Sequence, residues 1–201
     1  LGRDEPPTTD LMLAPGFVDL QVNGIEDVDV WSTALADNTT AWERINQLLL
    51  DQGVTSWCPT LVTAPLDLYR VAIEFVNRQR SVLGTPHVIG VHLEGPFLGG
   101  AVGAHRSQDI CDVNTKWLLE HVDGVALMTL GAEVSSAIEA CKVLLTHGSR
   151  ISIGHSRPTR AQFDDCVQAG ATLVTHLFNA MSGVHHREPG LATWALTSDN
   201  V

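Results

Sequence analysis

Apolar positions alternate between two patterns along the chain. Short, β-branched runs at residues 16–22, 54–58, 87–93, 125–128, 150–153 and 171–175 have the continuous apolar character of strands buried on both faces. Between them, residues 40–52, 66–80, 114–120, 134–147 and 158–169 carry apolar side chains at three- and four-residue spacing, the period of helices with one buried face. Punctuation agrees with this division. Pro158 follows Ser156-Arg157 at a helix start, and Gly53, Gly148 and Gly170 stand just past helix ends. Residues 1–13, with Pro6-Pro7, read as an irregular lead-in or the remnant of a small β domain, and residues 14–201 as the main unit.

The strands end near Asn23, Thr60, Glu94, Leu130, His155 and His176, which makes repeated β/α units of 21 to 37 residues. Six such strands fit either an open doubly wound sheet or part of an eight-stranded (β/α) barrel, and the period does not separate the two. A glycine-rich dinucleotide fingerprint is absent after the first strand. Polar residues instead gather at strand C-termini (Gln21, Asn23, Glu94, His155 and His176), the face where barrel enzymes collect catalytic groups. The expected fold is therefore α/β, a partial (β/α)8 TIM-type barrel with about six of eight β/α units present. The chain begins with Leu1 and stops after the sixth strand, so it reads as truncated at both ends.

His92-Leu93-Glu94-Gly95-Pro96 sets a carboxylate where an apolar strand meets a Gly-Pro turn, and a charge there needs a partner. A lone strand-end Glu is more often a turn cap or a rim ion pair. Two further strands, ending in Gly154-His155 and Thr175-His176, each deliver an imidazole to the same end. One Glu and two His form a three-ligand set that suits Zn²⁺ and leaves a fourth position open, the catalytic rather than the closed structural arrangement.

Charge narrows the partners. With 12 Lys+Arg against 23 Asp+Glu the net charge is -11, which disfavours nucleic acid and anionic membranes, and no apolar run is long enough to span a bilayer. Cys58, Cys111, Cys141 and Cys166 are widely spaced without C-x-x-C pairing and read as reduced thiols of a cytoplasmic protein.

Taken together, Ala14-Pro15-Gly16-Phe17-Val18-Asp19-Leu20-Gln21-Val22-Asn23-Gly24, His92-Leu93-Glu94-Gly95-Pro96-Phe97, Gly154-His155-Ser156, Thr175-His176-Leu177-Phe178-Asn179-Ala180-Met181 and Arg187-Glu188-Pro189-Gly190 closely resemble the N-acetylglucosamine-6-phosphate deacetylases of the amidohydrolase superfamily. The likeness runs from about Ala14 to the end. It implies an incomplete amidohydrolase barrel over residues 14–201 and hydrolysis of the acetamide of N-acetylglucosamine 6-phosphate to glucosamine 6-phosphate and acetate.

By resemblance, Glu94, His155 and His176 hold one divalent metal, most simply Zn²⁺, because Gln21-Val22-Asn23 stands where many amidohydrolases place H-x-H for a second ion. His105, in Gly103-Ala104-His105, falls to the substrate as a catalytic residue, with Asn179 and Ala180 as further substrate contacts. Arg187 is the phosphate partner, reaching the neighbouring subunit's site in a homodimer. Read without the family, His105 is an ordinary loop histidine, while the alternative to the phosphate role for Arg187 is a pair with Glu188 or another surface acid. His87, His92, His121 and His147 read as structural, and His185 and His186 as phosphate neighbours or surface residues. The family's general base, an Asp ending an eighth strand, has no counterpart here. Two other readings stay open: an amidohydrolase for another N-acetylated sugar phosphate, and a non-catalytic sugar-phosphate-binding remnant.

Overall fold

The computed structural model describes residues 12–80 and 84–201, so most of the 1–13 lead-in lies outside the described residues. In chain order the elements are β1 (Phe17–Val22), β2 (Gly24–Ile25), β3 (Val28–Asp29), α1 (Val30–Leu35), α2 (Thr39–Asp51), β4 (Val54–Val62), α3 (Tyr69–Gln79), β5 (His87–Val88), β6 (Val91–Glu94), α4 (Thr115–His121), β7 (Val125–Leu130), α5 (Ala137–Thr146), β8 (Arg150–Ile153), α6 (Arg160–Gln168), β9 (Leu173–Val174) and α7 (Leu191–Leu196).

The main sheet runs β1-β4-β6-β7-β8-β9, every pair parallel, with β5 beside β4. Spatial order follows chain order without reversal. A doubly wound sheet reverses at its switch point, whereas a barrel does not, so the topology decides between the two expected architectures. The sheet also curls. Leu20 of β1 and Val174 of β9, from opposite ends of the strand order, line one small cavity of about 190 Å³. The chain is a six-stranded parallel half-barrel.

Helix–sheet packing supplies the core, as the apolar spacing requires. Asn38 caps α2 by accepting the Ala41 N–H, and the helix buries Trp42, Ile45 and Leu49. Trp42 meets Trp57 of β4 and Phe75 of α3 at ring-centre separations of 5.0 and 5.4 Å. Tyr69 and Trp117 make an edge contact at 5.3 Å that joins α3 to α4. Thr159 and Gln162 form a reciprocal capping box at the start of α6. At the sheet edge, Phe17 and Val18 of β1 remain 69% and 60% exposed, unlike the strands inside the sheet.

Boundaries differ from the sequence expectation in a few places. The 87–93 run is two strands that break at Ile89-Gly90, where Gly90 has a φ of 157° and Arg80 Nη2 donates to the Ile89 carbonyl at 2.6 Å. The third helix begins at Tyr69, since residues 65–68 close a turn in which the Leu68 N–H reaches the Pro65 carbonyl. The β2–β3 hairpin and the six-residue helices α1 and α7 were not expected, being too short for a periodic signal.

Candidate metal and substrate site

Glu94, His155 and His176 stand at the ends of β6, β8 and β9 and meet at the strand C-termini, on one wall of a cavity of about 600 Å³. His155 and His176 both adopt left-handed backbone, with φ of 48° and 36°. Such angles are uncommon outside glycine and cluster at functional sites. Gly103 must approach closely here: with φ of 60°, a Cβ on it would sit 3.1 Å from His155 Cε1.

Tautomers follow from the partners. His155 Nδ1 lies 3.0 Å from the Ala101 carbonyl and His176 Nδ1 lies 3.1 Å from the Asn179 carbonyl. Carbonyls only accept, so in each neutral ring Nδ1 carries the hydrogen and Nε2 presents a lone pair. Those two Nε2 atoms are 2.8 Å apart, and Glu94 Oε1 is 3.2 Å from one and 3.3 Å from the other. Three electron-rich atoms at such range repel unless a positive charge lies among them. Ligands on tetrahedral zinc, with bonds of about 2.0–2.2 Å, stand roughly 3.3–3.5 Å from one another, so this donor set fits the ion with little adjustment. The carbonyl partners on Nδ1 are also the outer support that metal-binding imidazoles normally have.

His105 joins the cluster. Its Nε2 is 3.1 Å from His155 Nε2 and 3.9 Å from Glu94 Oε2. Glu94, His105 and His155 each bring one potential ligand atom within 4.8 Å of the other two, so His105 belongs to the same candidate metal cluster as the expected ligands. Because His155 Nε2 offers a lone pair, His105 Nε2 is the donor of that contact, and its hydrogen points into the cluster. Burial first, and then repulsion from His155 and His176, push its pKa down against the pull of Glu94, which favours the neutral, donating ring.

Glu94 is buried, which alone would raise its pKa. The imidazoles of His155 and His105 and the amide of Gln21 around it outweigh burial and hold it at about 2. Gln21 supports the charged form of Glu94 from the cavity wall, and Asn23 lines the same cavity. Asn179 and Ala180 line it too. Arg187 does not: it is exposed on the segment outside the cavity. Among the described residues, Arg106 is the one Lys or Arg in the lining, held by its Nε 3.2 Å from Asp109. Sequence reasoning passed over Arg106, although its place directly after His105 was a usable signal.

Beneath the cluster a polar ladder crosses the inner face of the sheet. His92 Nδ1 donates to the Leu20 carbonyl at 2.9 Å, so its Nε2 accepts from the Thr129 hydroxyl at 2.8 Å. Thr129 must then accept from Thr175 at 2.7 Å, and Thr175 from Ser152 at 2.6 Å. His92 is structural, as its sequence context suggested; burial above all lowers its pKa to about 4 and keeps it neutral.

A sequentially ordered parallel half-barrel with a carboxylate–imidazole cluster across its C-terminal face defines one part of a (β/α) barrel with a candidate metal site at the face where such barrels gather functional groups. No protein-family model matches the chain. It is 37% identical over 199 residues to N-acetylglucosamine-6-phosphate deacetylase of Danio rerio, across 94% of this chain and 48% of that protein. It is 32% identical over 194 residues to N-acetylgalactosamine-6-phosphate deacetylase of Escherichia coli O157:H7, across 92% of this chain and 50% of that protein. Among solved structures, N-acetylglucosamine-6-phosphate deacetylase from Pasteurella multocida superposes with a TM-score of 0.82 at 29% identity, covering 92% of this chain and 49% of that one. A mutant of the Mycobacterium smegmatis enzyme in complex with N-acetyl-D-glucosamine-6-phosphate gives 0.80 at 31% identity, covering 90% and 47%. The chain belongs to the N-acetylglucosamine-6-phosphate deacetylase family, and it spans about half the length of the curated relatives it matches.

Proposed function

We propose that the protein serves metal-dependent hydrolysis of the acetamide of N-acetylglucosamine 6-phosphate, releasing acetate and glucosamine 6-phosphate. The observation that carries this reading is the convergence of the His155 and His176 lone pairs on Glu94 Oε1. These three residues would hold one divalent ion, Zn²⁺ by donor type. When bound, such an ion acidifies water toward a pKa of about 7 and polarises the amide carbonyl.

The chain's own groups supply the rest of the reading. His105, neutral and donating, stabilises negative charge as it develops on the amide oxygen. Asn179 and Ala180 position the sugar along the cavity wall. Glu94 is the one carboxylate lining the cavity among the described residues, and it is committed to the cluster. Proton transfer to the leaving amine therefore falls to the Asp that the family resemblance puts at the end of an eighth strand. Arg106 from within the cavity and Arg187 across a homodimer contact are the cations for the phosphate. The four cysteines are free thiols, which suits the reducing cytoplasm this reading implies.

Glu94→Gln tests the reading. It should remove tight Zn²⁺ binding and acetate release together, and full acetate release by a metal-free Glu94→Gln protein would sink it. Supplying both N-acetylglucosamine 6-phosphate and N-acetylgalactosamine 6-phosphate in the same assay identifies the hexosamine, since relatives act on each by name.

A further inference from the structure

Glu133, in the turn after β7, lines no part of the cavity, yet three donors from two segments converge on its carboxylate. Oε1 accepts the Gly100 N–H at 2.8 Å and the Arg157 N–H at 2.7 Å, while Oε2 takes the hydroxyl of buried Ser156. Ser156 Oγ itself accepts the Ala132 N–H at 3.0 Å. Space is shaped to the carboxylate as well: a Cβ on Gly99 would fall 2.0 Å from Glu133 Oε1, so a side chain there would push the carboxylate off its donors.

Both tethered segments feed the cluster. Ser156 and Arg157 directly follow His155, whose left-handed backbone needs holding. The other segment, after β6, carries Ala101, whose carbonyl sets the His155 tautomer, and His105. A further bond, from the Gly99 N–H to the His155 carbonyl at 2.9 Å, ties one segment to the other. We propose that Glu133 is the positioning residue of the metal cluster, locking His155, its tautomer-setting carbonyl and His105 in one arrangement. The proposal rests on the metal reading above. A carboxylate is the fitting group because it only accepts and has sites for all three donors. An amide of equal size would turn an N–H₂ toward N–H or O–H.

The test compares wild type, Glu133→Gln and Ser156→Ala by zinc titration calorimetry, by the visible absorption of the Co²⁺-loaded protein, and by the melting temperature without metal. We expect Glu133→Gln to bind zinc about 10- to 100-fold more weakly and to alter the Co²⁺ spectrum, with Ser156→Ala changing both in the same direction but less. A merely structural carboxylate would lower the metal-free melting temperature and leave the Co²⁺ spectrum unchanged, and that result overturns the proposal. Should Glu133→Gln fail to fold, the Ser156→Ala spectrum decides: altered supports the proposal, unaltered rejects it. Wild type that takes up neither ion brings down the metal reading itself, with Glu133's role, before any variant is compared.

Discussion

The Gln21 side chain shares the cavity wall with the Glu94 carboxylate and helps hold it ionised, joining the end of β1 to the end of β6 at the centre of the site. An amide in this position is an outer support for a metal-binding carboxylate, and removing such support costs about 10- to 100-fold in affinity. Gln21→Leu should therefore weaken Zn²⁺ binding about 10-fold or more while the metal-free melting temperature stays near that of wild type. Calorimetric titration with zinc measures the first, and a thermal melt in chelator the second.

Metal should stabilise the fold as well as equip the site. At a free concentration 100 times its dissociation constant, an ion bound to the native state alone adds about 2.7 kcal/mol. For a protein of this size that is a rise of about 5–10 °C in melting temperature. Scanning calorimetry with zinc, and again after EDTA, should show the rise and its reversal, and Glu94→Gln should show neither.

His92 gives a pH dependence with a defined sign. Its pKa is about 4 in the fold against 6.5 for the free side chain, so over that interval the unfolded chain binds the proton and the native chain does not. The contribution is complete above pH 6.5 and is lost as pH falls through about 4. At 1.36 kcal/mol per unit it amounts to about 3 kcal/mol. Urea unfolding in chelator at pH 7 and pH 4 should show a smaller loss for His92→Asn than for wild type. Glu94, depressed to about 2, adds a separate loss below pH 4.5 in both proteins.

Trp57 and Trp117 should answer differently to the same substitution. Trp57 is fully buried but its indole N–H has no partner, whereas Trp117 donates to the Leu66 carbonyl at 3.1 Å. Trp→Phe leaves a cavity at either site, but only at position 117 does it strand an acceptor, and at position 57 it removes an unsatisfied donor worth about 1–3 kcal/mol. Chemical denaturation should find Trp57→Phe the milder change by about 1 kcal/mol or more, despite its deeper burial.

The larger elements were legible because burial leaves a period. Six apolar runs became the six strands of the main row, one of them shedding the short β5, and the imidazoles of His155 and His176 could be assigned to the same end because each stands two residues past its strand. What escaped was either short or long-range. α1 spans six residues, too few for a helical stripe, and its one local signal was Asp29, whose side chain caps the Ser32 N–H. The approach of His105 to His155 spans 50 residues and depends on left-handed turns that the sequence does not announce. Glu133 was invisible for the same reason, since two of its three donors are backbone groups.

The ladder from Ser152 to Leu20 has a single sense: each hydroxyl gives its only hydrogen to the next group, and no link can be reversed without stranding another. It runs across the strands, perpendicular to the chain direction, through β8, the end of β9, β7, β6 and β1. A one-residue slip of any of these strands would turn its link to the wrong face of the sheet. The layer under the metal cluster therefore acts as a checksum on strand alignment, admitting only the register that also brings Glu94, His155 and His176 to the same mouth.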